Sequence, residues 1–332
     1  MGMEEILPHI NSYATFSKLP GYREVEEGLR EREIEIVRKN PYIGDEVVTH
    51  LRIPSKLRRR KLSEIRRIAS SLYGGYEEID GSMEGLRVEG IKRIDYANTR
   101  PIELRVVLPG ELEKRFFVKK FDEKRWFGLE LEDILGPFKF PYSASGEGIY
   151  EDSIEGFEAR DMGDRLFEDP ELVGELIKLD VRSGVMLLGD LHESNYLVEF
   201  TDERIIVRPI DFDKMFESFA HMSPAGGLLF SEAEFEKAVR VVGRERYESI
   251  VRLERDNIRK RVLESGIRTK RLLEVLASSK EANYDLDKCK KLIISHRNTY
   301  APLSGRFPIS GIESARNMGE LLENHMRNRL NL

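Results

Sequence analysis

Cysteine is almost absent from this chain: Cys289 is the single one in 332 residues. One thiol excludes an intrachain disulfide and any zinc site built from several cysteines. Its helical setting, the run DLDKCKKLII, favours an inert packed thiol over a nucleophile. Long apolar runs are missing too, and none approaches the ~20 residues that span a bilayer. The opening MGMEEILPHI has neither the basic start nor the apolar stretch of a secretory signal. A reducing, cytoplasmic setting without membrane contact is the expectation. No GxxxxGK[ST] occurs, which excludes a P-loop ATPase. Internal repeats and low-complexity tracts are also lacking.

What is present is a heavily charged globular composition: 34% charged and 40% hydrophobic residues, with a formal net charge of −6. The negative balance argues against bulk nucleic-acid binding, although a local basic patch can override it. The length accommodates two or three domains.

The stretch richest in chemistry is LLGDLHESNYLVEFTDERIIVRPIDFDKM, Leu187 to Met215. It reads as a polar loop from Gly189 to Asn195, a strand from Tyr196 to Phe200, a turn at Thr201 to Glu203, and a second strand from Ile205 to Ile210. The hairpin brings Asp190, Asn195 and Asp211 to its flanks. Two carboxylates and an amide so placed can hold a divalent metal and orient a hydroxyl, the groups that phosphoryl transfer needs.

Gly189-Asp190-Leu191-His192-Glu193-Ser194-Asn195 followed by Ile210-Asp211-Phe212-Asp213 resembles the catalytic segment of the protein-kinase-like superfamily, most closely its aminoglycoside phosphotransferase and choline kinase branch. The resemblance implies ATP and Mg²⁺ (or Mn²⁺), with Asp190 as catalytic base or hydroxyl-orienting group and Asn195 and Asp211 as metal ligands. His192 belongs to the motif in a bracing role. Leu188 departs from the pattern, standing where the family usually has a histidine.

Upstream, Gly90 to Ala97, Ile102 to Leu108 and Lys114 to Phe121 read as three strands, joined at Asn98-Thr99-Arg100-Pro101 and at Pro109-Gly110. Three strands and then a helix is how a kinase-like amino-terminal lobe begins. Phe117-Val118-Lys119 matches the family's third strand, which makes Lys119 the nucleotide-phosphate lysine. Alternation sends Lys120 to the other face and leaves it as the alternative. In the following helix, Lys124 to Leu135, the resemblance makes Glu130 the partner of that lysine. The Asn98–Pro101 turn lacks the glycines of a phosphate-covering loop, so Arg100 or the Thr99 backbone would substitute. Asp161-Met162-Gly163-Asp164 reads as the hinge between lobes, with adenine bound by backbone within Glu158 to Met162. Asp169-Pro170 opens a helix that Gly184 closes.

Before these strands, Tyr22 to Asn40 and Asp45 to Leu51 read as helices, followed by a helical run from Lys56 to Tyr73. The cations Lys56, Arg58, Arg59, Arg60, Lys61, Arg66 and Arg67 in that run raise a nucleic-acid-binding module; a helical hairpin whose cations face water or cover a neighbour is the simpler reading. Glycines 74, 75 and 81 suggest a boundary.

The expected architecture is α+β: a two-lobed protein-kinase-like fold with a small antiparallel-sheet N-lobe, a mainly helical C-lobe and an N-terminal helical accessory segment. The expected divisions are residues 1–84, 85–160 and 161–332. The expected function is ATP-dependent transfer of the γ-phosphate to a hydroxyl acceptor, a small molecule first. A protein Ser/Thr kinase and a nucleotide-binding pseudokinase scaffold, with a nucleic-acid-binding N-terminal segment, stand as alternatives. Oligomeric state is not legible.

Overall fold

The structure is a computed structural model that describes residues 19–39, 45–73, 83, 85–97, 99–139, 141–145, 147–216, 227–279, 284–304 and 309–332. The glycine boundary at 74–82 and Asn98 of the first turn lie outside those residues. The chain divides into two compact units, Met1–Asp122 with Phe140–Ile154, and Glu123–Lys139 with Glu155–Leu332.

The first unit is a seven-stranded antiparallel sheet with helices. Its elements are α1 (Tyr22–Glu26), β1 (Arg30–Arg38), β2 (Glu46–Arg52), α2 (Arg58–Tyr73), β3 (Arg87–Ile94), β4 (Ile102–Leu108), β5 (Leu112–Lys120), β6 (Tyr142–Ser145) and β7 (Gly148–Asp152). The strand order is β1-β2-β3-β4-β5-β7-β6. Alternation builds its core. Ile102, Leu104 and Val106 of β4 and Phe116 and Val118 of β5 are fully buried, and Ile65, Ile68, Ala69 and Leu72 form the facing stripe of α2. Burying a large apolar side chain is worth about 1.5–3 kcal/mol, against about 0–1 for an exposed ion pair. The apolar stripe, not its charges, therefore holds α2.

The amino-terminal region corrects the reading of it as a helical segment. Gly28, at φ 76, turns the chain out of a five-residue helix into β1, and residues 46–52 form β2. The charges at 30–38 mask a period of two, and the β-branched residues Ile34, Ile36, Val47, Val48 and Thr49 favour pairing. With a strand where the first helix of a helix–turn–helix was expected, that module is overturned. Two of its cations are also tied down: Arg60 reaches Glu64 at 2.8 Å, and the buried Lys61 reaches Glu64 at 2.9 Å and the Glu24 carbonyl.

The β4–β5 turn has Gly110 at φ 87 and Glu111 at φ 66, as a tight hairpin requires. At the preceding turn the left-handed position that glycine favours is taken by Arg100 (φ 45), whose carbonyl accepts from the Tyr22 hydroxyl at 2.8 Å.

The second unit contains α3 (Glu123–Leu135), β8 (Phe157–Glu158), α4 (Ala159–Met162), α5 (Pro170–Met186), β9 (Tyr196–Phe200), β10 (Ile205–Pro209), α6 (Glu232–Val242), α7 (Arg244–Glu264), α8 (Gly266–Ser278), α9 (Leu286–Ser304) and α10 (Met318–Leu330). Helix α3, expected in the amino-terminal lobe, belongs here because its buried polar groups find partners here: Arg125 on Asp211 and Asp213, and Glu130 on Arg268. The chain crosses between units at Asp122/Glu123, Lys139/Phe140 and Ile154/Glu155, and the stretch Asp161–Asp164 lies within the second unit.

Helix α5 is the spine of this unit, packed against α6, α7, α10 and β10. Asp169 caps it by accepting from Glu171 N at 2.7 Å, with Pro170 in the first turn. It runs past Gly184 and closes at Leu187, which takes a left-handed conformation at φ 57. No described helix is long and apolar enough to cross a membrane.

Candidate functional site

The loop after α5 is rooted in the strand-like segment that follows the hairpin. Leu188 N donates to Ser183 O at 3.0 Å, Phe216 N to Leu187 O at 3.0 Å, and Gly189 N to Lys214 O at 3.3 Å. Leu188 bridges Met215 and is fully buried. An apolar side chain thus fills the place where the resembling family has its bracing histidine.

Beyond this root the chain turns sharply. Asp190 sits at φ 56 with its side chain exposed and, among the described residues, its carboxylate has no hydrogen-bond partner. Its carbonyl accepts twice, from His192 N at 3.0 Å and from Asn195 Nδ2 at 2.8 Å. Asn195 N donates to His192 O at 2.8 Å, and the His192 Nδ1 accepts from Ser194 N at 3.2 Å. His192 is therefore a turn brace. A non-glycine residue at φ > 0 is strained and is kept where the surroundings over-determine it.

The hairpin then joins the two metal-ligand candidates. Ile210 N donates to Asn195 O at 2.9 Å, so Asn195 and Asp211 flank one backbone hydrogen bond. Asn195 uses Nδ2 on the loop, which leaves its Oδ1 as an acceptor. Asp211 is about a third exposed, 38% at its side chain. Its Oδ1 accepts from Arg125 Nη1 at 2.9 Å and from Asp213 N at 3.1 Å, and its Oδ2 has no partner among the described residues.

Helix α3 fixes this end. Arg125, nearly fully buried, also donates to Asp213 Oδ1 at 2.6 Å and to the Ile210 carbonyl at 3.0 Å. One turn on, Gly128 lies against the fully buried Phe212, and a Cβ there would fall 2.6 Å from the Cβ of Phe212. The Ile-Asp-Phe-Asp segment is thus gripped by a guanidinium and a glycine on one face of the same helix. Sequence reasoning passed over both. The signal was an arginine and a glycine three apart on a helix whose remaining residues there are bulky and apolar.

In the first unit, Lys119 pairs with Glu151 at 2.9 Å, on the neighbouring strand. Lys120 lies over the Tyr22 ring at 5.4 Å, on the other face, as strand alternation requires. The expected glutamate lies in the other unit. Glu130 is fully buried in the second unit, where it accepts from Arg268 Nη2 at 2.6 Å and Nε at 3.1 Å. Glu151, diagonal to Lys119 across the β5–β7 pair, is a carboxylate that reaches it.

A divalent metal has a stated chemical requirement to meet. Among the described residues no group of three or more His, Cys, Asp or Glu side chains gathers to hold one. Asn195 Oδ1 and Asp211 Oδ2 offer two oxygens. Two protein oxygens do not cage a metal, but they suit Mg²⁺, which keeps waters and takes one or two carboxylates together with substrate phosphates.

Searches against models of protein families and against curated proteins return no match to this chain.

Proposed function

We propose that the protein is an ATP-dependent phosphotransferase that moves the γ-phosphate to a hydroxyl acceptor, a small molecule first. The observation that carries this reading is the hydrogen-bonded frame Asp190–Asn195–Asp211. It combines an exposed, unpaired carboxylate, an amide oxygen and one open carboxylate oxygen on a single loop and hairpin. In support, β3, β4 and β5 run as a meander into α3, the order in which the resembling lobe begins, with Lys119 on the third strand. Asn195 and Asp211 would hold Mg²⁺, which when bound with ATP would neutralise phosphate charge. Asp190 orients the acceptor hydroxyl and receives its proton. Lys119, paired with Glu151, would contact nucleotide phosphates.

A second reading, nucleotide binding without transfer, is favoured by one feature: Arg125 already neutralises Asp211. Thermal melts with ATP, ADP and GTP, each with Mg²⁺ or Mn²⁺, test what both readings share. The expected result is a rise in Tm that needs metal and is lost in Asp211→Ala, since any ligand of the native state stabilises by mass action. Indifference to every nucleotide–metal pair would remove both readings. Nucleotide binding with no turnover over a panel of hydroxyl acceptors would leave the second.

A further inference from the structure

We infer that Arg125 is the resident cation of the Asp211–Asp213 carboxylate pair, and that it restricts this end of the site to one divalent ion, on Asp211 Oδ2, bound together with nucleotide. The metal part of this inference rests on the phosphotransferase reading; the part concerning Arg125 and the two carboxylates does not.

The geometry is specific. A single guanidinium nitrogen, Nη1, lies 2.9 Å from Asp211 Oδ1 and 2.6 Å from Asp213 Oδ1, while Nη2 donates to the Ile210 carbonyl at 3.0 Å. The guanidinium therefore bridges the two carboxylates. The side chain is 3% exposed, so it is not screened as a surface cation is.

Two consequences follow for metal binding. A carboxylate bridges two divalent ions with both oxygens, and Asp211 has committed Oδ1 to Arg125 and to the Asp213 amide. Taken by themselves, these two carboxylates and the guanidinium sum to −1, against −2 for the carboxylates without it. A free dication meets a weakly negative, half-occupied pair and binds poorly. A metal carried in on ATP brings its own phosphate oxygens and needs little more than Asn195 Oδ1 and Asp211 Oδ2. The site therefore selects the metal–nucleotide complex over the bare ion. Arg125 is a positioning residue in this scheme, acting through Asp211.

The test is Mn²⁺ binding to the full chain, read by electron paramagnetic resonance, with metal-dependent melting as a second readout. Wild type, Arg125→Gln and Arg125→Lys are titrated with Mn²⁺ alone and with Mn²⁺ plus a non-hydrolysable ATP analogue. The expected results are one Mn²⁺ per wild-type chain with the analogue, and at least tenfold tighter Mn²⁺ binding without nucleotide in Arg125→Gln. That variant alone is expected to gain Tm on adding Mn²⁺ by itself, and Arg125→Lys, which keeps the charge, to behave as wild type. Equal affinity for bare Mn²⁺ in wild type and Arg125→Gln overturns the inference, as do two Mn²⁺ per wild-type chain. The wild-type stoichiometry decides the matter even where Arg125→Gln fails to fold. A wild type that binds no analogue, beside an Arg125→Gln that gains Mn²⁺, overturns the phosphotransferase reading and leaves the assignment of Arg125 standing.

Discussion

At the scale of single residues, the proposed function gives Asp190 and Lys119 different duties, and substitution separates them. Asp190 is exposed, unpaired among the described residues and held by its own backbone, so its carboxylate can change without disturbing the loop. If it receives the hydroxyl proton, its effect lies in the transition state. Asp190→Asn is expected to leave ATP affinity nearly intact and to cut phosphate transfer by roughly 10²–10⁴-fold, the scale of a positioned acid or base. Lys119→Ala is expected to weaken both affinity and turnover, because an ammonium on phosphates acts in the ground state as well. Affinity and turnover measured side by side on both variants check this. Equal turnover in wild type and Asp190→Asn would refute the role of Asp190, and the double loss in Lys120→Ala in place of Lys119→Ala would move the phosphate contact to the other face of β5.

The scale of elements is dominated by how α3 meets the Asp211–Asp213 segment. Gly128 in a helix costs about 1 kcal/mol relative to alanine, so Gly128→Ala on propensity alone would stabilise. The contact decides otherwise. A Cβ at 2.6 Å from the Phe212 Cβ strikes the base of a fully buried ring, which cannot swing away. Overpacking of this kind costs about 1–3 kcal/mol. Gly128→Ala is expected to be net destabilising in urea melts and to weaken ATP–Mg²⁺ binding through Asp211. A stabilised variant with intact binding would show that α3 and Phe212 have room to part.

The same helix carries a buried charge with a pH signature. Burial holds the Glu132 carboxyl above the usual carboxylate range; the Arg182 guanidinium pulls it back and Glu254 pushes it further up. Arg182 lies between them, 3.7 Å from Glu132 and 3.5 Å from Glu254. A carboxyl whose folded pKa is raised holds its proton longer in the native state than in the unfolded chain. Its contribution to stability is full below the ordinary glutamate value and is lost as pH rises through the raised one. Glu132→Gln removes that part of the slope. Urea melts of both proteins from acidic to neutral pH check it, and superimposable pH profiles would mean that Glu132 titrates as an ordinary carboxyl.

At the scale of the whole molecule, the sequence alone determined whatever depends on local pattern. The hairpin at 196–209, the meander at 87–120 and helices 58–73 and 170–186 were legible because alternation, turn residues and caps act between near neighbours. So was the loop Asp190–Asn195, whose bonds close within six residues. Tertiary structure decided the rest, for a common reason. Residues 30–38 and 46–52 carry charge spacing that fits a helix, and their strand state depends on partners across the sheet. Glu151 lies 32 residues from Lys119, and only β5–β7 pairing brings the two together. Arg125 lies 86 residues from Asp211, so its hold on that carboxylate is invisible until α3 packs. Periodicity fixes which face a residue shares with its neighbours; which distant charge meets that face is set by packing, because burial leaves a polar group stable only beside a partner.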